Sequence, residues 1–402
     1  MERKNIFLKR FQQRSLTSDK SSCERDVNIL RRKNDSQHGC RVLLTVFYVF
    51  GLSFVKNRVS KNVVFKFLQV VLVLYMHVIL LTFIIQRMQA LLRYDSIRKS
   101  SYSFLFYSAI SFSLWTFTFL KRKAISTLVN AVFKLKKNCQ KTNQNIFSFI
   151  IPMLTIFNFL ASLASMPIFI QNKDLQYRYM REKLGYSAFC IMEKLGITRV
   201  CFFIYAFSAH CFLNLIQNLL ALLCSWIFLE LGKALKQCED MLLCGKPLEN
   251  MYRIYHCVIR VKSMMEAKLG FIILLVSLSG LFILFTFFSG ILGDSHDQFI
   301  EKEMMLITIT HMLIRIIYLL VLVFSAAEVS ERDKSFRRAI VSHSLTRKRN
   351  NLDLMFLSSI DESAHLSFSV CGYFELTRGF IASAVGIFLT YTMLFLQLEK
   401  KQ

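Results

Sequence analysis

The sequence predicts an all-α polytopic membrane protein that crosses the bilayer seven times, with its N-terminus cytosolic and its C-terminus extracellular. Three observations carry this. Seven apolar segments run for about 20 residues or more, enough at 1.5 Å per residue to cross a hydrocarbon layer of roughly 30 Å. The chain is 54% hydrophobic, with 39 Phe and only 3 Pro, a bias foreign to soluble domains. Lys and Arg number 35 in one set of alternating loops and 12 in the other, which places the richer set in the cytosol.

The elements follow in order. Residues 1–62 form a polar, basic cytosolic arm containing Arg31, Arg32 and Lys33, so the Asn34-Asp35-Ser36 glycosylation match is a decoy. Within the arm, 42–55 is apolar but short for a crossing and reads as an interfacial or re-entrant helix; an eighth span there would move the N-terminus outside. The first crossing is 63–85, with Lys66 able to snorkel, and the second, 102–120, is closed by Lys121, Arg122 and Lys123. Segments 146–171 and 199–229 are the third and fourth. The fourth continues without a break toward Lys236, and a polar-amphipathic stretch leads into the fifth, 269–292, so 230–268 is expected to form paired cytosolic extensions. After the sixth crossing, 304–327, comes a cytosolic loop and anchor helix at 328–376, amphipathic over 361–376. The last crossing is 379–398.

Composition excludes several classes. The net charge of +25 lies in loops, where it acts as a topology signal rather than a nucleic-acid surface. Eleven cysteines, at 23, 40, 139, 190, 201, 211, 224, 238, 244, 257 and 371, are odd in number and irregular in spacing, which fits free thiols and neither a disulfide framework nor a zinc site. No metal or other cofactor is expected. The N-terminus lacks an apolar core long enough for a cleaved signal peptide. A G-protein-coupled receptor would have the opposite polarity, and Glu331-Arg332-Asp333, which mimics part of such a receptor's signature, follows the sixth segment and reads as a solvated charge cluster. A transporter would show repeats or broken helices in matching halves. A polytopic enzyme would carry paired ionisable residues within its spans, and only Arg315 stands there, so the chain reads as no enzyme.

The final segment carries the most specific signal. Thr390, Met393 and Gln397 share one stripe at helical spacing in an otherwise apolar run, and so give that helix a face that can line something wet or bond to neighbouring helices. Thr390-Tyr391, five mostly apolar residues and then Gln397-Leu398 at the extreme C-terminus resemble the signature of the insect gustatory receptors, kin of the insect odorant receptors. Leu398 stands where that family usually has Phe. The upstream Ser369-Val370-Cys371-Gly372-Tyr373-Phe374 is similar to the family's segment before the last helix.

The resemblance implies a ligand-gated, nonselective cation channel, a homotetramer or a heterotetramer with other gustatory receptors, in the plasma membrane of sensory neurons. It implies that the last helix lines the pore, with Gln397, Leu398, Met393 and Leu394 at the pore and gate. Thr390, Tyr391, Gly372 and Phe374 would couple helices. Sugar-sensing members carry Glu after the motif Tyr; Thr392 here points to bitter or other non-sugar tastants, or to contact pheromones. Polar and aromatic residues expected to face a small-molecule pocket in the outer half of the bundle are His77, Tyr107, Asn158, Tyr205, His210, Phe287, His311 and Arg315. Arg315 stands out, since a cation mid-way down a span must meet a partner, water or an anionic ligand group.

Overall fold

A helix buried along nearly its whole length forms the centre of the described structure. The computed structural model describes residues 38–49, 52, 63–93, 99–139, 153–157, 160, 214–244, 248–292, 302–346, 360 and 365–380, then 382, 383, 386, 387, 390, 393 and 397. Its named helices are α1 (His38–Val49), α2 (Val63–Arg93), α3 (Lys99–Leu120), α4 (Arg122–Asn138), α5 (Ile216–Leu243), α6 (Leu248–Leu292) and α7 (Lys302–Thr346). Nearly every residue of α5 is buried, the exceptions being mostly charged positions toward its end such as Lys236 and Asp240. α7 packs most extensively along α5, and α1, α4 and α6 complete its surroundings.

Three described helices are long and apolar enough to cross a membrane, within Ile216–Leu243, Glu249–Ile283 and Ile309–Ser342. Shorter apolar stretches occupy Phe67–Thr82 and Leu105–Leu120. α2 turns Phe67, Leu68, Val71, Leu74, Val78 and Leu81 outward, an apolar stripe suited to lipid contact. Its other side packs on α3, where Met76, Leu80, Leu114 and Trp115 are buried.

Past Lys121 the composition changes and so does the helix. α4 buries only Ile125, Leu128, Val129, Val132 and Leu135, one amphipathic stripe laid on α5 and α6. Lys136 and Lys137 sit in its last turn, favourably placed for the helix dipole. α6 and α7 each have 45 residues, about 67 Å of helix, more than twice a hydrocarbon layer.

Two sequence expectations need correction here. Residues 328–346 continue α7 without interruption, so the expected loop begins later than Ala327, and the expected amphipathic helix at 361–376 is instead a hairpin over its described part. Strands β1 (Ser369–Val370) and β2 (Phe374–Glu375) pair antiparallel, with Ser369 opposite Glu375 and Val370 opposite Phe374. Cys371 (φ 51°) and Gly372 (φ 77°) are both left-handed, as a type I′ turn demands, and Tyr373 N–H donates to the Val370 carbonyl at 3.0 Å. The turn rests on α6: a Cβ added to Gly270 would meet Cys371 Sγ at 3.5 Å.

Candidate functional site

Arg315 is a buried cation of the apolar bundle, met by polar groups of two other parts of the chain. Its side chain is 5% exposed, and Nη2 donates to the Tyr107 hydroxyl at 2.6 Å and to Asn214 Oδ1 at 3.3 Å. Tyr107 donates in turn to Asn214 Oδ1 at 2.7 Å, closing a triangle between α3, the entry to α5 and α7. The guanidinium also lies 5.7 Å from the centroid of the Tyr107 ring. One turn along α3, Ser111 accepts from Gln217 Nε2, and it donates to the Tyr107 carbonyl at 2.8 Å.

A cation in such surroundings is tolerable only when its donors are satisfied by nearby dipoles. Here a phenol and a side-chain amide supply them to Nη2. A small cavity adjoins the cluster, lined by Gln217, Asn218, Val276, Gly280, Arg315 and Tyr318 among others, with about 10 Å³ of room for a water centre, roughly one molecule. Gln217 Oε1 and Ser277 Oγ are buried without a hydrogen-bond partner among the described residues. Tyr318 closes one side, its hydroxyl donating to the Leu154 carbonyl at 2.6 Å.

Of the residues expected at a pocket, the structure brings Tyr107 and Arg315 into direct contact and sets half-buried His311 one turn from Arg315 on the same helix. His77 lies elsewhere. It sits between α2 and α3 with Trp115 Nε1 at 3.2 Å from its Nδ1, and Phe112 and Phe119 against its ring, so it packs that helix pair together. Phe287 belongs to α6, but its side chain lies outside the described residues, as do Asn158, Tyr205 and His210. Sequence reasoning missed Asn214, Gln217, Asn218, Ser111 and Tyr318. The available signal was the set of amides at positions 214, 217 and 218, three and four residues apart on one face of an apolar run.

The final helix shows a second feature. Gly379, Ala382, Ser383, Gly386, Ile387, Thr390, Met393 and Gln397 are helical and exposed in the single chain. Thr390 Oγ1 donates to the Gly386 carbonyl of its own helix at 2.9 Å. Tyr391, Leu394 and Leu398 lie outside the described residues. At the base of this helix Phe374 stacks on Phe380 at 4.6 Å, and exposed Gly372 forms the hairpin turn.

Glu331-Arg332-Asp333 is not a solvated cluster. Glu331 is exposed and binds Arg378 at 2.6 Å and Arg332 binds Glu328 at 2.7 Å, but Asp333 is fully buried against Arg337 at 2.9 Å. The reason is register: positions 333, 336, 337 and 340 are the buried face of α7 beyond its apolar stretch.

No family model matches the sequence, and no curated protein matches it. Among solved structures, the olfactory receptor OR5 of the insect Machilis hrabei superposes with a TM-score of 0.64 at 13% identity, over 91% of this chain and 100% of that one. The chain has the fold of an insect olfactory receptor. The same receptor in complex with eugenol gives the same TM-score, identity and coverage. An insect-olfactory-receptor fold is helical and apolar, in keeping with the long helices described above, and the structural neighbours are receptors rather than enzymes.

Proposed function

We propose that the chain is a multi-pass chemosensory receptor of the gustatory type in the plasma membrane of sensory neurons. It acts as a ligand-gated, nonselective cation channel with seven crossings and a cytosolic N-terminus. The observation that carries this reading is the Arg315 cluster: a buried guanidinium of α7, a phenol of α3 and an amide at the entry to α5 meeting in an apolar bundle whose fold is shared with a receptor solved with eugenol. Such a bundle recognises a small compound by shape and orients it through few polar contacts. Arg315, Tyr107 and His311 would line the polar end of the tastant pocket.

The Thr390, Met393 and Gln397 stripe of the sequence, at positions exposed in the single chain, supports the rest. One helix cannot enclose an ion path, but four copies about an axis can, with Gln397 and Met393 turned toward the conduit in a homotetramer or a heterotetramer. The C-terminal motif favours the gustatory branch, and Thr392 a bitter or other non-sugar tastant or a contact pheromone.

The experiment is expression of the chain in a cell without other chemoreceptors, recording currents evoked by a compound panel in nucleotide-free patches. Cation currents that follow ligand are expected. In the same cells Arg315→Gln should shift the half-maximal concentration by about tenfold or more, the worth of one charged hydrogen bond. A mutant with fewer receptors at the surface and an unchanged dose-response would assign Arg315 to packing alone.

A further inference from the structure

A second buried charge site lies on the helix that carries Arg315. Asp333 stands eighteen residues along α7, about 27 Å away, and is fully buried. Arg337 Nε donates to Asp333 Oδ2 at 2.9 Å, Arg337 Nη2 donates to the Tyr255 hydroxyl of α6 at 2.9 Å, and that hydroxyl donates to Asp333 Oδ1 at 3.1 Å. The pair also reaches a different segment, through its backbone and through His365, whose Nδ1 lies 3.7 Å from Asp333 Oδ2. Arg337 Nη1 donates to the Ile360 carbonyl at 2.9 Å, and Asp333 Oδ2 accepts the Leu366 N–H at 2.9 Å.

That segment leads straight into the hairpin and the final helix. It is tied again at Ser369, whose N–H donates to Glu266 Oε1 of α6 at 3.1 Å, and at Arg378, which binds Glu331 of α7 at 2.6 Å. A buried ion pair is a poor way to gain stability, because apolar residues of like volume often do as well; what it supplies is a specific arrangement. Here the arrangement fastens Ile360 and a strap over residues 365–378 to α7 at three charged side chains.

We infer that Asp333, Arg337 and Tyr255 are positioning residues through which α7 transmits ligand binding at Arg315 to the base of the final helix, an inference that rests on the channel reading above. A continuous helix moves as one body, so a displacement at the Arg315 cluster reaches the strap, and the strap cannot stay behind without stripping buried charges of their partners.

The test uses the full-length receptor, with surface labelling, dose-response currents and hydrogen exchange of backbone amides 366–376 in lipid nanodiscs. Tyr255→Phe keeps the ring that packs on Phe336 and removes one hydroxyl. It is expected to reach the surface near the wild-type level while shifting the half-maximal concentration or lowering the maximal current by about tenfold. The exchanged pair D333R/R337D keeps an i,i+4 ion pair on α7 but can neither accept from Leu366 nor donate to Ile360. Amides 366–376 should then exchange at least about tenfold faster, and ligand should no longer open the channel. A Tyr255→Phe receptor with wild-type dose-response, or an exchanged pair with wild-type exchange and currents, overturns the inference. Faster exchange in a chain whose wild type never conducts overturns the channel reading and the coupling with it, whereas unchanged exchange refutes the strap itself.

Discussion

Two buried arginines on one helix show how differently a charge can be accommodated. Arg315 leans on uncharged oxygens, Tyr107 and Asn214, while Arg337 is paired with a carboxylate and a carbonyl. The first arrangement leaves a positive field for a ligand's acceptor; the second is internally neutral and suits a fixed joint. A third ionisable group, half-buried Cys139, behaves as an inert one. Burial, and after it the negative charges of Glu230 and Cys257, push the Cys139 thiol up to about 12. The folded thiol stays protonated where an unfolded one would ionise, so this group favours folding fully below about pH 8.5 and less as pH climbs toward 12. Maleimide at pH 7.5 should therefore label Cys139 at least about tenfold more slowly than exposed Cys244. Equal labelling rates, read by mass spectrometry of the intact folded protein, would mean that the α4 end opens.

Among the elements, the hairpin between α7 and the final helix is where local chemistry matters most. Gly372 at φ 77° follows Cys371 at φ 51°, and the turn lies against Gly270 of α6. A β-branched residue at 372 must enter the left-handed region, at about 1–3 kcal/mol. Gly372→Val should lower the thermal stability of the detergent-solubilised protein, whereas Gly372→Asn, which tolerates positive φ, should come closer to the wild type; an unchanged unfolding temperature for the valine variant would show that the turn bears no strain. The helix that sequence reasoning expected at 361–376 drew on its amphipathic pattern, but Ser369-Val370 and Phe374-Glu375 also alternate with period two about a Cys-Gly pair. Two periods fit one short stretch, and the positive-φ glycine breaks the tie in favour of the turn.

At the scale of the whole molecule, the two 45-residue helices connect the apolar bundle to the amphipathic α4 and the strap. If the chain threads the bilayer as proposed, the end with Arg315 lies toward the outside and the end with Asp333 in the cytosol. An epitope fused after Gln402 should accordingly bind antibody on intact cells, and one at the N-terminus only after permeabilisation. Staining of the C-terminal epitope that requires permeabilisation would reverse the topology and remove the basis for an outward-facing Gln397.

Hydropathy, charge asymmetry and chain length were enough, without coordinates, to establish a helical architecture with long apolar segments, because both depend on composition along the chain. The same holds for the isolation of Arg315 in its span and for the Thr390, Met393 and Gln397 stripe, which follow from counting residues along one helix. Tertiary structure alone decided that Tyr107 and Asn214 meet Arg315 while His77 does not, and that Asp333 is buried against Arg337 and a backbone segment more than twenty residues downstream. Those choices depend on the rotation and depth of helices packed far apart in sequence, and periodicity sets which residues share a face but not which face of which neighbour they meet.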